Sequence, residues 1–198
     1  MYTCTVLTSL VFLRIGLDKS PPYCGKGKQM SAKLAALKLF LDELGIESSI
    51  DTIDDRKRVQ KAVYLGQIAR VDLGYRFGWY LRGPYSTGLT KDYYALADAV
   101  NSGELDTQGR TLKPELRERL KRIRPLLDPP SGVHLSQEDW LELLASLHFL
   151  QYVSKFDQDK AVERIRQEKP HLKAFLHEAE SQLQRYGLLG NANDSSPL

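Results

Sequence analysis

A mainly α-helical, compact single domain of six or seven helices, with a small β-sheet or hairpin containing a strand at residues 75–82, is the fold this sequence predicts. Three observations predict it. Leucine-rich stripes at helical spacing recur along most of the chain, and glycine or proline closes nearly every one. One stretch, Tyr75 to Ser86 (YRFGWYLRGPYS), changes period: Tyr75, Phe77, Trp79 and Leu81 alternate with Arg76, Gly78, Tyr80 and Arg82. Finally, 198 residues of ordinary apolar and charged content can bury one core without disulfide or metal staples.

The first 29 residues stand apart. Arg14, Lys19, Lys26 and Lys28 face only Asp18, so this leader carries the whole net charge of +3 and the rest is neutral. It also holds both cysteines, Cys4 and Cys24, which leaves no thiol pair for a disulfide or metal site from Met30 onward. Cysteine-free sequence points weakly to the cytoplasm. Val6 to Leu17 is apolar but interrupted by Arg14, too short and too broken to span a bilayer. Pro21-Pro22 and Gly25-Lys-Gly27 read as a structureless joint. The expectation is that 1–29 is a gene-start artefact or disordered and that the domain covers 30–187; a cleaved or membrane-lying leader is the alternative.

From Met30 the elements follow in order. Leu34, Leu37, Leu41 and Leu44 predict a helix that Gly45 stops, and Ile46 to Ile50 is short enough to pair as a strand. Asp51, Thr52 and Asp54 offer caps for a helix to about Arg70, ended by Gly74. Its stripe of Val59, Ala62, Val63, Gly66 and Ala69 is widened by Tyr64, Leu65 and Ile68, so it predicts a buried central helix. Small residues at 62, 66 and 69 invite close approach by a neighbour.

In the aromatic stretch Phe77 and Trp79 are expected inward, with Tyr80 and Arg82 on the opposite face beside Tyr85. Gly83-Pro84 reads as the break, because proline offers a ladder no donor and fixes φ. Ser86 then caps a helix that includes Lys91 to Val100, and residues 103–111 read as a loop or as the return arm of a hairpin.

Pro114 suits a first helical turn, and Leu116, Leu120, Ile123 and Leu127 continue that helix until Pro125, Pro129 and Pro130 kink its exit. Ser136 caps a strongly apolar helix with Leu143, Leu144, Leu147 and Leu150. Asp157 caps another that Lys169-Pro170 breaks. Leu172, Phe175, Leu176, Ala179, Leu183 and Tyr186 form the last, stopped by Gly187, with 188–198 as a disordered tail.

Chemistry-bearing patterns are sparse. His134, His148, His171 and His177 contain no pair at helical ligand spacing, so no metal site is expected. Ser86 sits on a turn but lacks the G-x-S-x-G elbow, and Gly25-Lys-Gly-Lys28 lacks the spacing of a phosphate loop. No cofactor motif and no catalytic constellation follow from the residues. Between Arg110 and Arg124, seven basic residues face only Glu115 and Glu118; Arg117, Lys121, Arg122 and Arg124 would be the contacts if that helix lay along nucleic acid. A solvated face with arginine stems on apolar surface gives the same pattern.

Arg58-Val-Gln-Lys61-Ala-Val-Tyr64 resembles the K-L-Q-K-L-x-Y helix of the Panacea domain, the SocA-like antitoxin family. That family follows the helix with an aromatic strand and a Gly-Pro turn, as Trp79 to Tyr85 does. The form FGWYLRGPYS with Leu89-Thr90 and Asp92-Tyr-Tyr94 looks closer still to the YwgA-like bacterial proteins. The resemblance covers about residues 50 to 100, and beyond it Lys169-Pro170 is the main similarity. Arg58 and Ala62 stand where the family often has lysine and leucine. The resemblance implies a helical domain with a small sheet that acts by binding a toxin, effector or protease component, antitoxin-like or adaptor-like, in a toxin–antitoxin or phage-defence setting.

The functional expectation is therefore a non-enzymatic, cytoplasmic protein-binding module, with no membrane partner. Its contact residues are expected to be Trp79, Tyr80, Arg82, Gly83, Pro84, Tyr85 and Ser86, since exposed tyrosine and arginine dominate binding hot spots. Nucleic-acid binding through the helix at 110–124 is the alternative.

Overall fold

Residues 26–189 are described by a computed structural model of seven α-helices and a two-stranded antiparallel hairpin. The first helix, α1 (Lys26–Leu44), begins before Met30, so Lys26 and Gly27 are helical where a structureless joint was expected. The remainder of the expected leader lies outside the described residues. Ile46 and Ile50 are buried in an irregular link that pairs with no strand.

Helix α2 (Ile53–Ile68) starts at a reciprocal cap: the Thr52 hydroxyl accepts from Asp55 N, and Asp55 Oδ2 accepts from Thr52 N at 2.9 Å. These hydrogen bonds hold the Asp55 carboxyl below its usual range. The helix closes at Arg70, not Gly74. Arg70 takes φ 66°, and Val71 N donates to Gly66 O at 3.2 Å, the six-to-one bond of a Schellman closure.

Strands β1 (Gly78–Tyr80) and β2 (Gly83–Tyr85) pair with Trp79 opposite Pro84 and Tyr80 opposite Gly83. The turn is thus Leu81-Arg82, and Gly83-Pro84 is the return strand, not the break. Residues 103–111 are a loop. Pro84 is tolerated because the pair at the turn, Tyr80–Gly83, takes the ladder bonds and the next pair needs none from its nitrogen. Leu81, which shares the alternation of Phe77 and Trp79 in the sequence, is 80 % exposed.

Ser86 caps α3 (Thr87–Asn101), accepting from Leu89 N at 3.3 Å. Then follow α4 (Pro114–Ile123), with a 3₁₀ turn over Arg124–Leu127, and α5 (Gln137–His148), which runs into a π turn over Phe149–Val153. Asp157 caps α6 (Gln158–Glu168), and a 3₁₀ turn over Lys173–Phe175 leads into α7 (Leu176–Arg185). The expected tail does not begin at 188: Leu189 is buried, and Leu188 N donates to Leu183 O at 2.8 Å.

The core axis is a pair of helices. Every residue from Trp140 to Leu150 is buried, and α5 makes its most extensive packing with α2, where Val59 to Gly66 are buried. The leucine run of α5 reads as a helix enclosed on most sides, with Glu142, Ser146 and His148 as its buried polar residues. Helix α1 closes on α2 at Gly66. A Cβ there would lie 2.9 Å from Phe40 Cε1 and closer still to Cζ, so only glycine admits the Phe40 ring.

Candidate functional site

An isolated two-stranded hairpin is marginal in water, and here its outer edge meets helices instead of another strand. Its outward backbone groups must find partners or remain buried and unpaired. Side chains of α2 reach Pro84 within the hairpin and the backbone that flanks it on both sides. The Gln67 amide donates to Tyr75 O at 2.9 Å and accepts from Tyr75 N at 3.1 Å. Gln60 does the same for Ser86, at 2.9 Å and 3.0 Å. Lys61 Nζ donates to Pro84 O at 2.6 Å, and Lys169, just after α6, donates to Leu81 O at 2.9 Å. Four long polar side chains therefore tie down the hairpin, its turn and its two flanks.

Burying them brings charge inside. Glu142 on α5 sits between Lys169 Nζ at 2.6 Å and Lys57 Nζ at 3.4 Å, and Lys57 also meets Asp139 at 2.7 Å. Lys61 makes no ion pair among the described residues. Burial first, with Lys169, Lys57 and Arg82 adding to it and Glu142 opposing, draws its pKa down to about 7. The Lys169 ammonium also lies 5.7 Å from the centre of the Trp79 ring.

In front of this cluster, between the hairpin tip and the start of α2, opens a cleft of about 420 Å³. Arg56, Lys57 and Lys61 line it from α2, Tyr80, Arg82 and Tyr85 from the hairpin, and Tyr93 and Tyr94 from α3. The Tyr80 and Tyr85 rings stand 5.4 Å apart, and Thr90 Oγ1 holds the Tyr85 hydroxyl at 2.7 Å. Burial raises the pKa of Tyr93, so that hydroxyl stays protonated at neutral pH. Ile53, Tyr80, Leu81 and Tyr94 are exposed around the mouth. This is a walled surface of tyrosine and cations that can hold an anionic group against aromatic rings.

The seven residues expected at the partner contact divide. Tyr80 and Arg82 are exposed and Tyr85 half-buried, and all three line the cleft. Trp79 turns inward against Phe149, ring centres 5.8 Å apart, and Gly83, Pro84 and Ser86 are buried parts of the scaffold. Arg56, Tyr93 and Leu81 belong to the cleft but carried no sequence signal as site residues. The adjacent Tyr93-Tyr94 shortly after the Gly-Pro pair was the one available hint.

The basic stretch is largely engaged. Only Pro114–Ile123 of it is α-helical, with Lys113 as its cap residue. Arg117 pairs with Glu43 at 2.6 Å, Lys121 with Glu118 at 3.4 Å, and Arg119 donates to Arg70 O at 3.1 Å. Arg124 lies over the end of α1, where a Cβ on Gly45 would stand 2.7 Å from its Nη2. Arg122 is exposed.

His148 is buried about one helical turn along α2 from Lys61, with Nδ1 2.7 Å from the Tyr64 hydroxyl and its ring stacked on Tyr152. Burial lowers its pKa to about 4 and raises that of Tyr64. His134, His171 and His177 are exposed. Among the described residues no cluster of histidine and carboxylates has metal-site geometry, and no helix is long and apolar enough to cross a membrane.

Compared with protein-family models, with curated proteins and with solved structures, the chain matches none.

Proposed function

We propose that this protein is a non-catalytic binding module that engages another protein through the hairpin tip, in the antitoxin-like or adaptor-like manner that the resemblance implies. One observation carries the reading. Tyr80, Leu81 and Arg82 are exposed at the tip of a hairpin whose backbone is tied down by Lys169, Lys61 and Gln60. A large aromatic, an aliphatic and a guanidinium on a rigid support are the side chains that anchor interfaces, and rigidity spares the ordering cost of binding. Nothing in the core needs them exposed: the inward-facing Trp79 and Tyr75 already hold the segment.

The test separates folding from binding. Tyr80→Ala and Arg82→Ala are expected to melt as the parent does, since exposed substitutions stay within about 0.5 kcal/mol. Affinity capture from the native host, followed by mass spectrometry, identifies the partner. Its affinity for the two variants should then fall by about 2 kcal/mol or more. Folded variants that retain the partner at full affinity would remove the hairpin tip as its binding surface.

A further inference from the structure

We infer that the cleft between the hairpin tip and α2 seats an acidic segment of that protein partner, a carboxylate side chain flanked by an aromatic or aliphatic one. The inference rests on the protein-binding reading and adds the chemistry of the occupant.

Charge makes the first half of the argument. Arg56, Lys57, Lys61 and Arg82 line the cleft, and no carboxylate does. The nearest acids are already engaged: Glu142 with Lys169 and Lys57, Asp139 with Lys57 at 2.7 Å. Asp54 is solvent-exposed and lies 3.7 Å from Lys57 and 4.0 Å from Arg82. Counting Lys169, four fixed cations meet three carboxylates, with Lys61 as a further amine that an anion would hold protonated, and the surplus opens into a partly enclosed space where water screens it less than on a flat surface. Lys61 is the clearest case, a buried ammonium bonded to a carbonyl but to no carboxylate. Burial, which outweighs the nearby Glu142 charge, is what lowers its proton affinity, and an arriving carboxylate would raise it again.

Shape and polarity make the second half. The volume of about 420 Å³ lies at the lower end of ligand-site sizes, room for a few side chains but not for a domain face. Ile53 and Leu81 flank the mouth at 57 % and 80 % exposure, so an occupant with apolar side chains removes aliphatic surface from water as it enters. Phosphate backbones would use the cations and could stack bases on the tyrosines, but they would leave that aliphatic rim wet. A basic segment would meet like charge.

The probe is a random dodecapeptide library displayed on phage and selected on the full-length protein. Enriched peptides are then measured by fluorescence anisotropy against the parent, Arg82→Glu and Arg56→Gln. The expected result is enrichment of Asp or Glu beside an aromatic or aliphatic residue. Affinity should weaken at least about tenfold in Arg82→Glu, weaken in Arg56→Gln, and fall as salt rises. Thermal melts confirm that both variants are folded. No enrichment, enrichment of neutral or basic sequences, or affinity indifferent to both variants overturns the inference. So does a labelled oligo(dT) that binds more tightly than the enriched peptides and loses affinity in the same variants. A captured partner lost by Tyr80→Ala but kept by Arg82→Glu and Arg56→Gln sinks the cleft alone. A partner kept by Tyr80→Ala counts instead against the hairpin-tip reading beneath it.

Discussion

Lys61 reaches from the middle of α2 to Pro84, its Nζ 2.6 Å from the carbonyl oxygen, and so ties the return strand of the hairpin to the most buried helix pair. Proline has no N–H, so this carbonyl is the one main-chain group through which position 84 can be held.

Lys61→Met keeps the stem and deletes the donor. Pro84 O is then left buried and unpaired, at about 1–3 kcal/mol, offset in part because an ammonium no longer has to be buried. The expected outcome is local: faster hydrogen–deuterium exchange at residues 78–86, with α5 amides unchanged. The pH dependence should also change. In the parent, folding lowers this pKa from 10.5 to about 7, so between those values the unfolded chain binds more protons and stability rises with pH. That rise should be missing in Lys61→Met. Exchange rates equal to the parent's would show that the hairpin does not depend on this bond.

Gly66→Leu tests the α1–α2 contact. Even a methyl group at 66 meets the Phe40 ring, which is fully buried and has no room to swing away. Overpacking of this kind costs about 1–3 kcal/mol or more. Urea titration should show a lower midpoint at an unchanged slope. A midpoint equal to the parent's would mean that the two helices do not touch there.

His148 should make the protein acid-labile above the carboxylate range. Its pKa falls from 6.5 to about 4 on folding, with burial as the cause. Above 6.5 the imidazole is neutral in both states, and its contribution is fully present. Between 6.5 and about 4 the unfolded chain takes up the proton first, so stability drops as pH falls, by on the order of 3 kcal/mol in total. His148→Asn places an amide oxygen near the position of Nδ1 and cannot titrate. Unfolding free energies measured from pH 7.5 to 4 should show a steep parent slope and a shallow variant slope. Equal slopes would exclude His148 as the titrating group.

Much of the fold was legible because local signals agreed. Ser86, Ser136 and Asp157 each cap the helix their position announced, and Gly45 and Gly187 sit past helix ends at φ 71° and 68°. The hairpin was misread for a physical reason. Proline normally breaks a ladder, but a position that owes the ladder no N–H loses nothing by being proline. Moving the turn back to Leu81-Arg82 puts Leu81 in solvent and Gly83 in the left-handed region. Gln60, Lys61 and Lys169 carry no spacing signal for burial, since what buries them is an edge without a neighbouring strand. The cleft was legible only in its hairpin half. Arg56, Tyr80 and Tyr93 come from three elements, and only tertiary packing places them around one space.

Gly83 and Ser146 give the sharpest test of how the tip is aimed. Gly83 holds φ 78°, where an L side chain costs about 1–2 kcal/mol, and a Cβ there would also press on Ser146 Oγ. That hydroxyl is fully buried and has no hydrogen-bond partner among the described residues. Ser146→Ala should therefore be neutral or stabilising by up to about 1 kcal/mol, because it removes an unpaired polar atom and little volume. Gly83→Ala should cost more than the backbone term alone. In the double variant the clash disappears and only the backbone term of about 1–2 kcal/mol remains, so the two changes should couple favourably. A double-mutant cycle in urea reads that coupling directly. Strict additivity would mean that Gly83 is required for its φ alone and that Ser146 does not set the position of β2. Coupling would show that α5 fixes where the turn begins, and with it the direction in which Arg82 enters the cleft.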